Sequence, residues 1–227
     1  MMRRLCMDIA PMIDHTLLSQ DATEQMIEKL CDEAKAYGFA AVCVNPHYVG
    51  KAARLLKDTD GKVATVIGFP LGANIKEVKA FEALKAVGDG ADEIDMVMNI
   101  SALKNRKYLQ VEEDIRAVVD AVEGQATVKV IIEACLLSTE EKIKACEITR
   151  DAGAHFVKTS TGFATGGALI EDVELMYRAV GDEVRIKAAG GIRDYDTARA
   201  MIDAGASRIG ASASVDIISG YNIKKRF

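Results

Sequence analysis

The chain repeats one local pattern, in which an amphipathic segment ends at a glycine and a short β-branched run follows. The pattern recurs in AVGDGADEIDMV (residues 86–97), RDAGAHFVK (150–158) and IDAGASRIG (202–210). A helix that ends at glycine and leads into a strand is half of a repeating αβ unit. Eight strands are predicted in the 227 residues, on average about 28 residues apart. They are Met12–His15, Ala41–Val44, Val63–Ile67, Glu93–Met98, Val128–Ala134, Phe156–Thr159, Val184–Ala188 and Arg208–Gly210.

The segments between these strands have the period of amphipathic helices. In Thr23–Tyr37 the apolar residues recur at spacings of three and four, and Gly38 follows as a helix-ending residue. Asp21 is expected to be the N-cap of this helix. Ser138 with Glu141 predicts a capping box at the start of a later one.

Eight βα units can close into a barrel or form an open, doubly wound sheet. The even spacing favours the barrel, as does the lack of a Gly-x-Gly-x-x-Gly motif after the first strand. No linker or low-complexity stretch divides the chain. We therefore predict an α/β protein with a single (β/α)₈ TIM barrel over residues 1–227. Residues 221–227 are expected to lie past the final helix as a flexible C-terminal tail.

Composition excludes several classes of function. The formal net charge is −5 and the pI is about 5.4, which disfavours binding to nucleic acid or to an anionic membrane surface. The five cysteines are odd in number and form no CxxC motif, and the three histidines show no metal-ligand spacing. We expect no disulfide framework and no metal site. The N-terminal residues do not resemble a signal peptide, so a cytoplasmic location is expected.

Charged residues in three of the predicted strands stand out. Asp95 lies in the fourth strand, Lys158 in the sixth and Lys187 in the seventh. In a barrel the sixth and seventh strands are neighbours, so both lysines are expected in one pocket. Burial and a like charge both lower the pKa of a lysine, and a neutral lysine can form a Schiff base with a carbonyl. Asp95 would hold the other lysine charged or exchange protons with it. The alternative is that these residues form structural salt bridges inside the barrel.

Glycines follow the last strands in the two loops where barrels often bind phosphate. Gly190 and Gly191 follow the seventh strand, and Gly210 precedes Ser212 after the eighth. Gly162, in the turn after the sixth strand, is a third candidate for backbone contacts with a phosphosugar. Each glycine taken alone is better explained by a plain turn, and it is the pair of loops in these two places that favours a phosphate site. Three other residues end strands, namely Asp14, Glu133 and Cys43. Either acid could face the pocket or make a structural hydrogen bond. The cysteine is better explained by packing in the core.

The chain resembles the deoxyribose-phosphate aldolase family of class I aldolases along nearly its whole length. The motifs that carry the resemblance are IDHTLL at 13–18, VCVNP at 42–46, VIGFPLGAN at 66–74, ADEIDMVMNI at 91–100, VKVIIEACLL at 128–137, VKTSTGF at 157–163, IKAAGGIR at 186–193 and RIGASAS at 208–214.

The resemblance implies a (β/α)₈ barrel that reversibly cleaves 2-deoxy-D-ribose 5-phosphate to glyceraldehyde 3-phosphate and acetaldehyde without a cofactor. Lys158 matches the Schiff-base lysine, Lys187 the lysine that perturbs it, and Asp95 the acid/base aspartate. A tyrosine of the tail, Tyr221, is a candidate for protonating the enamine. The chain departs from the common pattern at Ala134, Ala164–Thr165 and Ser214.

Three rival functions are consistent with parts of the pattern. A lysine beside a phosphate-binding loop also suits pyridoxal phosphate. Another phosphosugar enzyme, such as an isomerase, would not need two buried lysines. A barrel that senses a phosphorylated metabolite without turnover is the third. The expected partner is a small-molecule phosphosugar, and the sequence leaves open whether the chain forms a homo-oligomer.

Overall fold

The computed structural model describes residues 8–225, with side chains described as far as residue 220. Its strands are β1 (Ile13–Leu17), β2 (Ala41–Val44), β3 (Lys62–Ile67), β4 (Glu93–Val97), β5 (Thr127–Ile131), β6 (Phe156–Lys158), β7 (Arg185–Ala189) and β8 (Ala206–Ala211). All are parallel, and β1 pairs with both β2 and β8. The strands therefore close into a barrel, and the predicted fold is confirmed.

Helices connect successive strands around the outside of the barrel. They are α1 (Glu24–Tyr37), α2 (Val49–Leu56), α3 (Lys76–Gly88), α4 (Ile100–Lys104), α5 (Tyr108–Val122), α6 (Thr139–Asp151), α7 (Ile170–Val180), α8 (Tyr195–Asp203) and α9 (Ser214–Lys225). Within residues 8–225 no helix is long and apolar enough to cross a membrane.

Local sequence signals account for the ends of several helices. Gly38 ends α1 in the left-handed conformation at φ 68°, and Ser138 with Glu141 forms the predicted capping box of α6. The N-cap of α1 is Thr23, whose side chain accepts a hydrogen bond from the Met26 N–H. The assignment of this cap to Asp21 was wrong because the first helical turn begins two residues later.

The C-terminal boundary also differs from the prediction. The backbone of residues 221–225 continues α9, whereas the last helix was expected to end before Tyr221. The segment NIKK contains neither proline nor glycine, so nothing in it stops a helix that is already under way.

The two faces of the barrel wall have different chemistry. Outward-facing strand residues such as Val42, Ile94 and Val130 are fully buried against the helices and form the main core. Inside, β2 and β3 contribute small apolar residues, namely Ala41, Cys43, Ala64 and Val66. Successive residues of a strand face opposite sides of the sheet, so every second residue points into the barrel. On β1 and on β4 to β8 several of these inward positions are charged, and they form the site described next.

Candidate active site

Lys158 and Lys187 lie side by side inside the barrel. β6 and β7 are neighbours, and their register pairs these two residues directly. Asp95 reaches both from β4, because its Oδ2 atom lies 2.8 Å from Lys158 Nζ and 2.7 Å from Lys187 Nζ. All three side chains are almost completely buried. The structure thus brings together the three residues singled out in the strands.

Asp14 joins this cluster from β1. Its Oδ2 atom accepts a hydrogen bond from Lys187 Nζ, and its Oδ1 atom lies 2.6 Å from Arg208 Nη1. The sequence left open whether Asp14 faces the pocket, and its ion pair with Lys187 places it there. Lys187 therefore has two carboxylate partners, whereas Lys158 contacts only Asp95 among the described residues.

Lys129, on β5, is a member of the cluster that the sequence analysis did not single out. Its Nζ atom lies 2.6 Å from Asp95 Oδ1 and 2.6 Å from Glu93 Oε2. Arg208 contacts the same Glu93 oxygen at 3.0 Å. The signal was available, since Lys129 interrupts the apolar run VKVII in the same way that Lys158 interrupts its own strand.

The charges in this interior nearly balance. Four basic side chains face three carboxylates, so one positive charge is in excess when every group is ionised. The basic groups are Lys129, Lys158, Lys187 and Arg208, and the acids are Asp14, Glu93 and Asp95. Loss of one proton from one lysine makes the cluster neutral.

The surroundings indicate which lysine loses that proton. Burial lowers the pKa of Lys158, and the Lys187 ammonium lowers it further against the opposing effect of Asp95. Burial acts on Lys187 in the same direction, but Asp14 and Asp95 outweigh it and raise the pKa of Lys187 above its usual value. The pKa of Lys129 is raised in the same way, chiefly by Asp95. Lys158 is therefore the lysine of this cluster that deprotonates most readily.

Both aspartates stay ionised for the complementary reason. Burial by itself would raise the pKa of Asp95, but Lys129, Lys158 and Lys187 together bring it well below its usual range. The pKa of Asp14 is lowered to about 2, because the surrounding cations outweigh its burial. The site is thus a fixed array of charges around one amine whose proton is weakly held.

The candidate phosphate loops lie beside this cluster. Gly190 and Gly191 have φ angles of 93° and 79°, which residues other than glycine rarely adopt. The loop after β6 packs on them closely, since a Cβ on Gly167 would lie 2.4 Å from the Gly190 carbonyl oxygen. Gly162, also at positive φ, begins that loop. Three glycine-containing turns therefore border the same end of the barrel.

The eighth strand contributes differently at its two candidate positions. Gly210 is buried, and a Cβ there would lie 3.2 Å from Lys187 Cε, so this glycine makes room for the lysine. Ser212 is exposed just before α9. Its hydroxyl is consistent with a ligand contact at the mouth of the barrel.

Other positions raised by the sequence have structural partners. Glu133 has a left-handed backbone, with φ 49°, and accepts hydrogen bonds from the Thr161 N–H and hydroxyl. Cys43 packs among small apolar residues, and burial raises the pKa of its thiol. Ser214 contacts His15 Nδ1 at 3.0 Å. The side chain of Tyr221 lies outside the described residues.

Comparisons with known proteins agree with this geometry. Residues 9–223 match the family model described as "DeoC/LacD family aldolase". The chain is 62% identical over 220 residues to a deoxyribose-phosphate aldolase of Geobacillus sp. (strain WCH70), covering 97% of this chain and 99% of the relative. It is 59% identical over 212 residues to one from Clostridium tetani, covering 93% and 98%. The structure of a deoxyribose-phosphate aldolase from Aeropyrum pernix, described as a unique tetramer, superposes with a TM-score of 0.88 at 36% identity, covering 94% of this chain and 91% of the other.

Proposed function

The chain belongs to the DeoC/LacD family of aldolases, and we propose that it cleaves 2-deoxy-D-ribose 5-phosphate reversibly to D-glyceraldehyde 3-phosphate and acetaldehyde. The relatives described above are named deoxyribose-phosphate aldolase, which supports this proposal. One observation carries the chemical part of the proposal. Lys158 is the lysine of the buried cluster whose pKa is lowered, and it lies 2.8 Å from an ionised Asp95.

Lys158 acts as the nucleophile. Its neutral Nζ attacks the C1 aldehyde of the open-chain sugar phosphate, and loss of water leaves a protonated imine. The imine carries its positive charge where the ammonium would carry it, next to Asp95, so the same carboxylate stabilises the intermediate. A neutral amine for attack and a carboxylate for the cation are both needed, and the cluster supports both.

Asp95 and Lys187 move the protons. The C3 hydroxyl loses its proton to this pair, through one bridging water. The C2–C3 electrons then move towards the imine nitrogen and glyceraldehyde 3-phosphate leaves. The enamine that remains takes up a proton at its terminal carbon. Hydrolysis of the resulting imine releases acetaldehyde and regenerates Lys158. The reaction as written needs no metal or organic cofactor.

The glycine turns bind the phosphate group of the substrate. Backbone N–H groups near Gly162, Gly190 and Gly191, with the Ser212 hydroxyl just past the end of β8, provide donors for its oxygens. Gly210, inside β8, serves this site by leaving room for Lys187. This remote binding energy positions the reacting carbons over Lys158.

Self-association is part of the proposal. The Aeropyrum pernix relative is described as tetrameric. On this chain α3 exposes a cluster of apolar side chains, including Phe81 at 70% and Ile75, just before the helix, at 65% exposure. Such a cluster is consistent with a contact between copies. Light scattering of the purified chain tests this. A cytoplasmic location and a role in deoxyribonucleotide catabolism stay predictions.

Borohydride trapping tests the nucleophile. The protein is incubated with acetaldehyde and sodium borohydride and then digested, and the masses of its peptides are measured by mass spectrometry. A two-carbon adduct on Lys158 is expected, and Lys158→Ala should lose both adduct and turnover. An adduct on Lys187 would reverse the roles of the two lysines. No adduct on folded protein would favour a phosphosugar-binding protein or an isomerase.

A further inference from the structure

Ser160 carries a polar atom for which the fold supplies no partner. Its side chain is fully buried, and among the described residues its Oγ is the one buried side-chain polar atom without a hydrogen-bond partner. A buried hydroxyl left unpaired destabilises a fold, because its lost hydrogen bonds to water are not replaced. Such a group is therefore uncommon unless something other than the protein satisfies it.

The position of Ser160 points to the substrate. It lies two residues after Lys158. The backbone stays extended past the end of β6, because Thr159 still hydrogen-bonds both neighbouring segments. Its N–H donates to the Lys187 carbonyl, and its carbonyl accepts from the Ala134 N–H. Alternate residues of an extended segment face the same side. Ser160 therefore shares the side of Lys158, one step nearer the mouth of the barrel.

The residues on either side of Ser160 are held firmly. The Thr159 hydroxyl donates to the Ala189 carbonyl at 3.0 Å, and the Thr161 N–H donates to Glu133. On the side of β7, a Cβ built on Gly190 would lie 3.5 Å from the Ser160 Cβ. The hydroxyl thus lies between the amine that takes the aldehyde carbon and the turn that is proposed to take the phosphate.

We propose that the Ser160 hydroxyl hydrogen-bonds the C4 hydroxyl of the sugar phosphate and thereby selects acceptor aldehydes that carry a 2-hydroxyl group. This inference rests on the proposed aldolase function. The C1 carbon is bonded to Lys158, the C3 hydroxyl faces the proton-transfer pair Asp95 and Lys187, and the phosphate lies at the glycine turns. The C4 hydroxyl is the substrate group between them, and rotation about the single χ1 bond of Ser160 re-aims its Oγ.

The test compares two acceptors in the synthetic direction with acetaldehyde as donor. D-Glyceraldehyde 3-phosphate carries the hydroxyl that becomes the C4 hydroxyl of the product, and 3-phosphopropanal lacks it. Ser160→Ala should lower kcat/KM for glyceraldehyde 3-phosphate by roughly 3- to 10-fold, the usual value of one hydrogen bond, and leave that for 3-phosphopropanal within about twofold. Ser219→Ala, an exposed serine on α9, is the matched control and should change neither.

Two further measurements separate the possible failures. Exchange of acetaldehyde methyl protons with D₂O needs the imine at Lys158 and the proton-transfer groups but no acceptor aldehyde, so Ser160→Ala should keep the wild-type rate. If the wild-type chain shows no exchange, the aldolase function itself fails. Ser160→Cys keeps a γ atom in this packed position but donates weakly, so it should repeat the selective loss without leaving a cavity. Equal losses for both acceptors, or no loss for either, would overturn the assignment of Ser160 to the C4 hydroxyl.

Discussion

Replacing Lys187 by leucine should move the pH dependence of catalysis as well as its rate. Lys187 and Lys158 contact the same oxygen of Asp95, at 2.7 and 2.8 Å. The substitution removes a positive charge from the immediate surroundings of Lys158, the proposed nucleophile. Because that charge disfavours the protonated form of Lys158, its removal raises the pKa of Lys158.

The size of the effect follows from the geometry. Two nitrogens bonded to one oxygen at these distances are at most ~5.5 Å apart. At an effective dielectric constant of ~20, two unit charges at that distance repel by about 3 kcal/mol. Losing this repulsion favours the protonated amine by up to roughly 100-fold. At any pH where the amine is mostly protonated, the fraction of neutral Lys158 should fall by that factor.

The assay is the pH profile of kcat/KM, which reports ionisations of the free enzyme. In Lys187→Leu the rise of activity with pH should move to higher pH, and activity should recover in part under alkaline conditions. The plateau should stay below that of the wild type, since a proton-transfer group is also gone. Lys187→Arg is the matched control: it keeps the charge, so the rise should stay near its wild-type position while the plateau falls.

A profile in Lys187→Leu that falls equally at every pH would refute the electrostatic reasoning and leave Lys187 only a proton-transfer role. The same conclusion would follow if the leucine and arginine variants showed the same displaced profile. Circular dichroism across the pH range confirms that each variant stays folded.

Three other perturbations have defined outcomes. Lys79→Met leaves Asp114 buried without its ion-pair partner, since Lys79 Nζ lies 2.6 Å from Asp114 Oδ2. The free energy of unfolding in urea should fall by about 3 kcal/mol, and adding Asp114→Leu to the same chain should restore most of it. A loss below about 1 kcal/mol would contradict this. Ser212→Ala should raise KM for 2-deoxyribose 5-phosphate but not for 2-deoxyribose, as measured by initial rates, and equal changes would exclude a phosphate contact. Because the pKa of Asp14 falls from 3.8 to about 2 on folding, its carboxylate stabilises the fold above about pH 4 and this contribution disappears as the pH falls towards 2. Asp14→Asn should therefore flatten the pH dependence of unfolding in that window, and an unchanged acid response would count against it.

The strands could be predicted because their signals are local. Ala41–Val44 was predicted with the bounds that the structure shows. Periodicity and glycine positions depend only on neighbours in the chain, so they survive without tertiary context. The same holds for Lys158, Lys187 and Asp95, each conspicuous as a charge inside an apolar strand.

Partnerships between distant residues needed the closed barrel. The hydrogen bond from Lys187 to Asp14 joins residues 173 positions apart, and no local pattern relates them. Lys129 carries the same local signal as Lys158, but its partners Glu93 and Asp95 lie on a neighbouring strand, so only the closed barrel shows that it joins the cluster. The end of α9 was misplaced because the composition of its last turn permits either a helix or a tail.

Residue types along the chain determined the barrel, the number of strands and the presence of charged residues inside the apolar strands. Only the tertiary structure decided which lysine holds its proton weakly, because that depends on how many carboxylates surround each one. Lys187 has two such partners and Lys158 has one. The unpaired hydroxyl of Ser160 is likewise invisible in sequence, since a missing partner is a property of the space around an atom.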